Sequence, residues 1–225
     1  MKVIFCTPSL AGPTAPYIKA LEDSIPLIVG AGWEEGYAQC VGNPYISAAR
    51  ADMTRRALDV GADVVCYLDY DLSWRPEDLL KLITTPGDVV AGTYRFKKDE
   101  VEYMGSVNTD ANHIMQGRAS DGALSAFRVP AGFLKVTKEA INKFMGAYPE
   151  LVYGPRYNPS VDLFNHGAHE GLWYGEDYAF CRRWLATGER IWLVPDLDLD
   201  HHSKDKVYKG NFHKFMLERA ASEKA

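Results

Sequence analysis

Val64-Val65-Cys66-Tyr67-Leu68, running directly into Asp69-Tyr70-Asp71, is the stretch that decides the fold of this chain. Five apolar residues without polar alternation are what a central parallel strand needs when helices cover both of its faces. Two acids two residues apart lie on the same side of an extended backbone, and a turn there lets both converge on one cation. Hard oxygen ligands of this kind suit Mg²⁺ or Mn²⁺ bridging a diphosphate. Such a triplet is common by chance, and solvated carboxylates at a strand end are its plainer explanation, so the surrounding sequence has to carry the case.

Upstream, Ile46, Ala49, Met53, Ala57 and Val60 recur at helical spacing, Gly61 stands where a C-cap belongs, and Arg50, Arg55 and Arg56 fall on the polar face. Val3 to Thr7 reads as a short buried strand ended by the turn-rich Pro8-Ser9-Leu10-Ala11-Gly12-Pro13. A short helix is expected over 14–24, a second apolar strand over Pro26 to Gly30, and a glycine-punctuated loop from Gly32 to Gly42. Downstream, Pro76 suits the first turn of a helix that continues through Leu79 to Ile83, and Asp88 to Gly92 returns as a strand. This is a β-α-β-α-β series, the mark of an α/β fold.

The second part is less regular. Residues 95–122 are polar and weakly periodic, and Asp121-Gly122 turns into a strand over Ala126 to Val129. Helices are expected over Lys138 to Met145 and over Tyr178 to Thr187, with a loop-rich stretch over 149–175 between them. Ile191 to Val194 reads as a strand. Leu197 and Leu199 then alternate with Asp196, Asp198 and Asp200, a half-buried extended segment leading to His201-His202, and the tail beyond Glu218 is expected as a frayed helix end.

Composition narrows the function. The 225 residues, 47% of them hydrophobic, fit one globular domain with a substantial core. A net charge of −5 argues against a nucleic-acid polymer as partner, yet it is compatible with a nucleoside diphosphate neutralised by a bound cation. Cys6, Cys40, Cys66 and Cys181 form no C-x-x-C pair, so free thiols, a reducing compartment and a cytoplasmic location are expected. No apolar run is long enough for a membrane span.

Thr7-Pro8-Ser9 follows the first strand, where an open α/β sheet receives a nucleotide. Glu176-Asp177 follows Gly175 at a helix start, a place for N-terminal capping as much as for catalysis. Trp173 and Tyr174, with Tyr153 and Tyr157, are candidates for stacking on a sugar ring or for the core. A zinc site from His166-x-x-His169 with His201 and His202 is a further alternative.

The segment from Ala49-Arg50-Ala51 to Asp69-Tyr70-Asp71 resembles the GT-A glycosyltransferases, in which a helix bearing Ala-Arg-Asn precedes the D-x-D strand. Ala51 stands here in place of that Asn. Further matches follow in family order: Val89-Val90-Ala91-Gly92, Pro130-Ala131-Gly132-Phe133-Leu134, Gly175-Glu176-Asp177, and Pro195 six residues before His201. Together they span 43–203.

The resemblance implies a three-layer α/β/α sandwich with a mostly parallel central sheet in one domain, residues 1–94 forming a donor half and 95–215 an acceptor half. It implies transfer of a sugar from a nucleoside diphosphate sugar to a carbohydrate or other hydroxyl acceptor, with inversion. Asp177 would be the general base, with Glu176 beside it. Thr7, Pro8, Ser9, Arg50, Asp69, Tyr70 and Asp71 would meet the donor, and Ala131, Gly132, Trp173 and Tyr174 the acceptor. Asp71, His201 and Asp69 would ligate Mn²⁺ or Mg²⁺. Two competitors are a sugar nucleotidyltransferase, which should carry a basic phosphate loop where Thr7 to Pro13 has no basic residue, and a non-catalytic carbohydrate-binding module.

Overall fold

Val3 and Phe5 pack into one apolar core while Ile4 and Cys6 pack into another, as a pleated strand covered on both faces requires. Val64, Cys66 and Leu68 divide from Val65 and Tyr67 in the same way. The structure is a computed structural model describing residues 1–222. Its first part runs β1 (Lys2–Ser9), α1 (Ala15–Gly30), β2 (Glu34–Val41), α2 (Ile46–Asp59), β3 (Val64–Leu68), β4 (Leu72–Trp74), α3 (Pro76–Thr84) and β5 (Val89–Ala91). There follow β6 (Ser106–Val107), β7 (Leu124–Arg128), β8 (Phe133–Thr137), α4 (Lys138–Ala147), β9 (Val152–Tyr153) and β10 (Ser160–Val161). The last elements are β11 (Gly167–His169), β12 (Leu172–Tyr174), α5 (Glu176–Ala186), β13 (Ile191–Leu193), β14 (Leu199–His202), β15 (Val207–Tyr208) and α6 (Phe212–Ser222).

The main sheet has the order β2-β1-β3-β8-β5-β13-β7-β6. β8 and β7 run against the other strands, so the sheet is mostly parallel with an antiparallel strand at its centre. One core lies between the sheet and α1 and α3, and the other between the sheet and α2, α4 and α5. This is the expected three-layer α/β/α arrangement. β8 comes from the later part of the chain and is inserted between β3 and β5, so both parts build a single sheet.

Two expectations are corrected. Residues 26–30 are the end of α1 and not a strand: Ile28 is buried in step with Tyr17, Leu21 and Ser24, a three- and four-residue spacing that suits a helix. The second strand is instead β2, inside the expected loop. It forms one edge of the sheet and buries only Ala38 fully, so it carries little apolar signal. β8 also escapes a sequence reading, because Lys135 interrupts its apolar run; the lysine is buried and donates to the Thr85 carbonyl oxygen at 2.6 Å. No helix among the described residues is long and apolar enough to cross a membrane, and all four cysteines are free thiols.

A small three-stranded sheet, β15-β14-β4, positions the site. The chain leaves β3, turns through Asp69-Tyr70-Asp71 and enters β4, which pairs antiparallel with β14 so that His201 stands opposite Leu72. The His202 N–H donates to the Asp71 carbonyl oxygen at 2.8 Å. At the same turn the Thr14 N–H and hydroxyl both donate to the Tyr70 carbonyl oxygen, at 3.0 and 3.1 Å, and fasten the start of α1.

Candidate active site

At the carboxyl ends of β1, β2 and β3, where an open α/β sheet receives ligands, there is a cavity of about 280 Å³. Its walls are Pro8 to Leu10 at the end of β1, Asn43, Pro44 and Ile46 at the entry to α2, the turn Asp69-Tyr70-Asp71, and His201. Ser9 is buried here and its hydroxyl has no hydrogen-bond partner, so it can serve an incoming polar group. Pro8, Ser9, Tyr70, Asp69 and Asp71 therefore share one cavity. Thr7 does not: it is buried in the core, with its hydroxyl bonded to that of Tyr17.

The two acids of the turn have separate partners. Asp69 accepts from Arg50 Nη2 at 3.2 Å and from the Tyr94 hydroxyl at 3.1 Å, and its own N–H donates to the Gly132 carbonyl oxygen at 2.8 Å. Asp71 is paired with the Lys97 ammonium and lies 3.6 Å from His201 Nε2. Burial alone would raise the Asp71 carboxyl; His201 and Lys97 beside it outweigh that and hold it below the usual carboxylate range. The two acids, expected to converge on one cation, thus face different partners, Asp69 turned to Arg50 and Tyr94 and Asp71 to Lys97 and His201.

His201 is oriented for ligation. Its Nδ1 donates to the Arg95 carbonyl oxygen at 2.8 Å, which leaves Nε2 facing Asp71. A backbone acceptor on one ring nitrogen is the usual way to fix a metal-binding tautomer. His202 points to the other side of the strand, bonded to the Ser73 hydroxyl at 2.7 Å. Among the described residues no three His, Cys, Asp or Glu side chains are grouped to hold an ion, neither the histidines of the zinc alternative nor Asp69, Asp71 and His201. One carboxylate and one imidazole do suit Mn²⁺ or Mg²⁺, since such cations commonly complete their shell with substrate phosphate oxygens and water.

The sequence leaves Arg50 either to reach the nucleotide or to lie solvated on its helix. It is instead 1% exposed, its guanidinium held between Asp69 at 3.2 Å and Glu176 Oε1 at 3.0 Å and stacked 4.9 Å from the Phe164 ring centroid. Burial opposes its charge, and the two carboxylates restore it. Glu176 correspondingly holds Arg50 through Oε1. Ala131 lies in the core. Gly132 supports the site from behind, since a Cβ there would stand 2.1 Å from the Tyr94 hydroxyl and 2.2 Å from Asp69 Oδ2.

Asp177 is different. Among the described residues its hydrogen bond is to the Tyr178 N–H, at 2.8 Å, and no cation pairs with it directly. Burial first, and then the neighbouring Glu176 charge, push its carboxyl up to about 6. Asp69 adds to the rise and Arg50 opposes it, so this carboxylate shares an electrostatic field with the cavity turn. β11 and β12 form a hairpin that leads straight into the helix bearing Asp177. Glu170 and Gly171, both at positive φ, make its two-residue turn. The hairpin holds Trp173 72% exposed and Tyr174 half-buried, so neither belongs to the core.

Tyr94 and Lys97 are the residues in contact with this site that sequence reasoning missed. Tyr94 is buried, bonded to Asp69, and meets the His201 ring edge-on at 5.0 Å. Its place just beyond the C-terminal end of β5 was the available signal.

No family model matches the sequence, and no curated protein matches it. Among solved structures, the chain is similar to that titled "crystal structure of a glycosyltransferase involved in the glycosylation of the major capsid of PBCV-1". The two are 12% identical, the match covers 66% of this chain and 67% of that chain, and the TM-score is 0.35.

Proposed function

We propose that this chain is a glycosyltransferase that takes a nucleoside diphosphate sugar into the cavity above β1 and β3 and transfers its sugar, with inversion, to an acceptor hydroxyl. The observation that carries this reading is Asp177: a half-buried carboxylate without a direct cationic partner among the described residues, raised to about 6, at the start of α5. Such a group is ionised at neutral pH and accepts a proton more readily than an ordinary carboxylate, as a general base should. The ordered resemblance of Asp69-Tyr70-Asp71, Gly175-Glu176-Asp177 and His201 to the GT-A pattern supports the same assignment.

The acceptor hydroxyl loses its proton to Asp177 as its oxygen attacks the anomeric carbon. Exposed Trp173 and half-buried Tyr174 offer aromatic faces to a carbohydrate acceptor on the hairpin that precedes the base. Asp71 and His201 would hold a divalent cation, which when bound supplies positive charge to the leaving diphosphate. Ser9 would hydrogen-bond the nucleotide portion. Incubation with a panel of nucleotide sugars, with and without Mn²⁺, tests the proposal. Release of nucleoside diphosphate dependent on an acceptor is expected; pyrophosphate would establish nucleotidyl chemistry, and no product with tight sugar binding would establish a binding module.

A further inference from the structure

A diphosphate brings two or more negative charges to a cavity whose walls contain Asp69 and Asp71 but no lysine or arginine. Arg50 cannot supply the missing charge, being buried and held by Asp69 and Glu176. The cation within reach is Lys97, whose ammonium pairs with Asp71 at the cavity edge while about a third of its side chain is exposed. An ammonium has three donors, so one contact with Asp71 leaves others for a ligand.

The segment that carries Lys97 is built to present it. The Phe96 N–H donates to the Glu102 carbonyl oxygen at 3.0 Å, Arg95 bridges to Tyr103, and Arg95 Nη2 gathers the carbonyl oxygens of Lys98, Asp99 and Glu100 at 3.2–3.5 Å. The Arg95 carbonyl oxygen is also the one that orients His201, and Lys206 pairs with Asp99 across to the β14–β15 turn. The loop is therefore tied on both sides, with Lys97 between its ties.

We propose that Lys97 is a donor-binding and catalytic residue that grips the diphosphate of the nucleotide sugar, passing from Asp71 to the phosphate oxygens when the donor enters. This rests on the glycosyltransferase reading above. In the transfer step the acceptor oxygen bonds to the anomeric carbon while the bond from that carbon to the phosphate oxygen breaks. The electron pair stays on the diphosphate, against the Lys97 ammonium, and the acceptor proton goes to Asp177.

The competing role is that Lys97 only shields Asp71, and the two predict opposite signs. Titration calorimetry of the full chain with uridine, guanosine, cytidine and adenosine diphosphates, each beside its nucleoside, is done with Mn²⁺ present and absent. Lys97→Gln should weaken diphosphate binding by roughly 10- to 100-fold and leave nucleoside binding unchanged, as loss of a charge-assisted contact predicts, and Lys97→Arg should recover part of the loss. Equal or tighter diphosphate binding by a folded Lys97→Gln, checked by its melting temperature, would overturn the assignment while leaving the donor reading intact. Failure of the wild-type chain to bind any diphosphate would overturn both.

Discussion

At the scale of single residues, Asp177 makes the sharpest demand. Asp177→Asn keeps the size of the side chain and its bond to the Tyr178 N–H but removes the proton acceptor, so turnover should fall roughly 10²–10⁴-fold with donor affinity near wild type. The wild-type rate should fall on the acid side with an apparent pKa near 6, and that limb should vanish in the variant. The same carboxyl predicts a stability effect of known sign. A group raised in the folded state binds its proton there more tightly than in the unfolded chain, so stability declines as pH climbs from the ordinary carboxylate range through about 6. Asp177→Asn should consequently melt higher than wild type at pH 7.5, by on the order of 1–3 kcal/mol, and show little advantage at pH 4. Near-normal transfer by the Asn variant, or a lower melting temperature at pH 7.5, would count against this. The two histidines give a paired comparison. His201→Ala should lower the affinity for Mn²⁺ measured with a nucleoside diphosphate by about 10-fold or more, while His202→Ala, which loses only the Ser73 contact, should leave it within about 2-fold. Equal losses would mean that the wrong face of the strand was chosen.

Elements show why part of this fold was readable and part was not. α2 and β3 were legible because each buries a face whose period matches its geometry: Ala49, Met53 and Ala57 on the helix, and continuous apolar residues on a strand covered from both sides. β2 was hidden because an edge strand needs few buried residues, and α1 was cut short because Pro26 sits inside it. A proline there cannot donate to the carbonyl oxygen one turn back and crowds it. Pro26→Ala should accordingly stabilise the chain by roughly 1–3 kcal/mol in chemical denaturation with no change in activity; destabilisation would show that the proline shapes α1 in a way its neighbours require. The candidate site residues were legible where an acid or histidine lies at the edge of a strand or at the start of a helix, as at Asp71, Asp177 and His201. It was illegible where the partner comes from a distant loop, as with Lys97, or where a residue serves by being small. Gly132 belongs to the last kind, and Gly132→Ala should disturb Asp69 and Tyr94 together, because both stand within 2.2 Å of the added methyl carbon. Weaker donor binding with a loss of roughly 1–3 kcal/mol in stability is the expected outcome, in line with other overpacked sites.

Across the whole molecule, Arg50 joins what the sequence separates. It rises from α2, takes Asp69 at the end of β3, and takes Glu176 at the start of α5, so one buried guanidinium ties the cavity turn to the helix that carries the base. Sequence distance concealed this, since Arg50 and Glu176 are 126 positions apart and a helix arginine reads as solvated until the fold is known. Removing such a cation exposes two facing carboxylates to each other without compensation, and buried pairs broken from one side lose about 3–5 kcal/mol. Arg50→Met should lose stability of that order in urea denaturation. The double variant Arg50→Met with Glu176→Gln should recover part of it, because one of the orphaned charges is gone. A kinetic consequence follows from the same field. Arg50 is the cation that restrains the rise of Asp177, so in Arg50→Met the acid limb of the pH–rate profile should move upward from about 6, and adding Glu176→Gln should bring it back down. If Arg50→Met folds with stability within about 0.5 kcal/mol of wild type and leaves the acid limb where it was, the guanidinium is not the tie between donor cavity and base, and the two must be positioned by backbone packing alone.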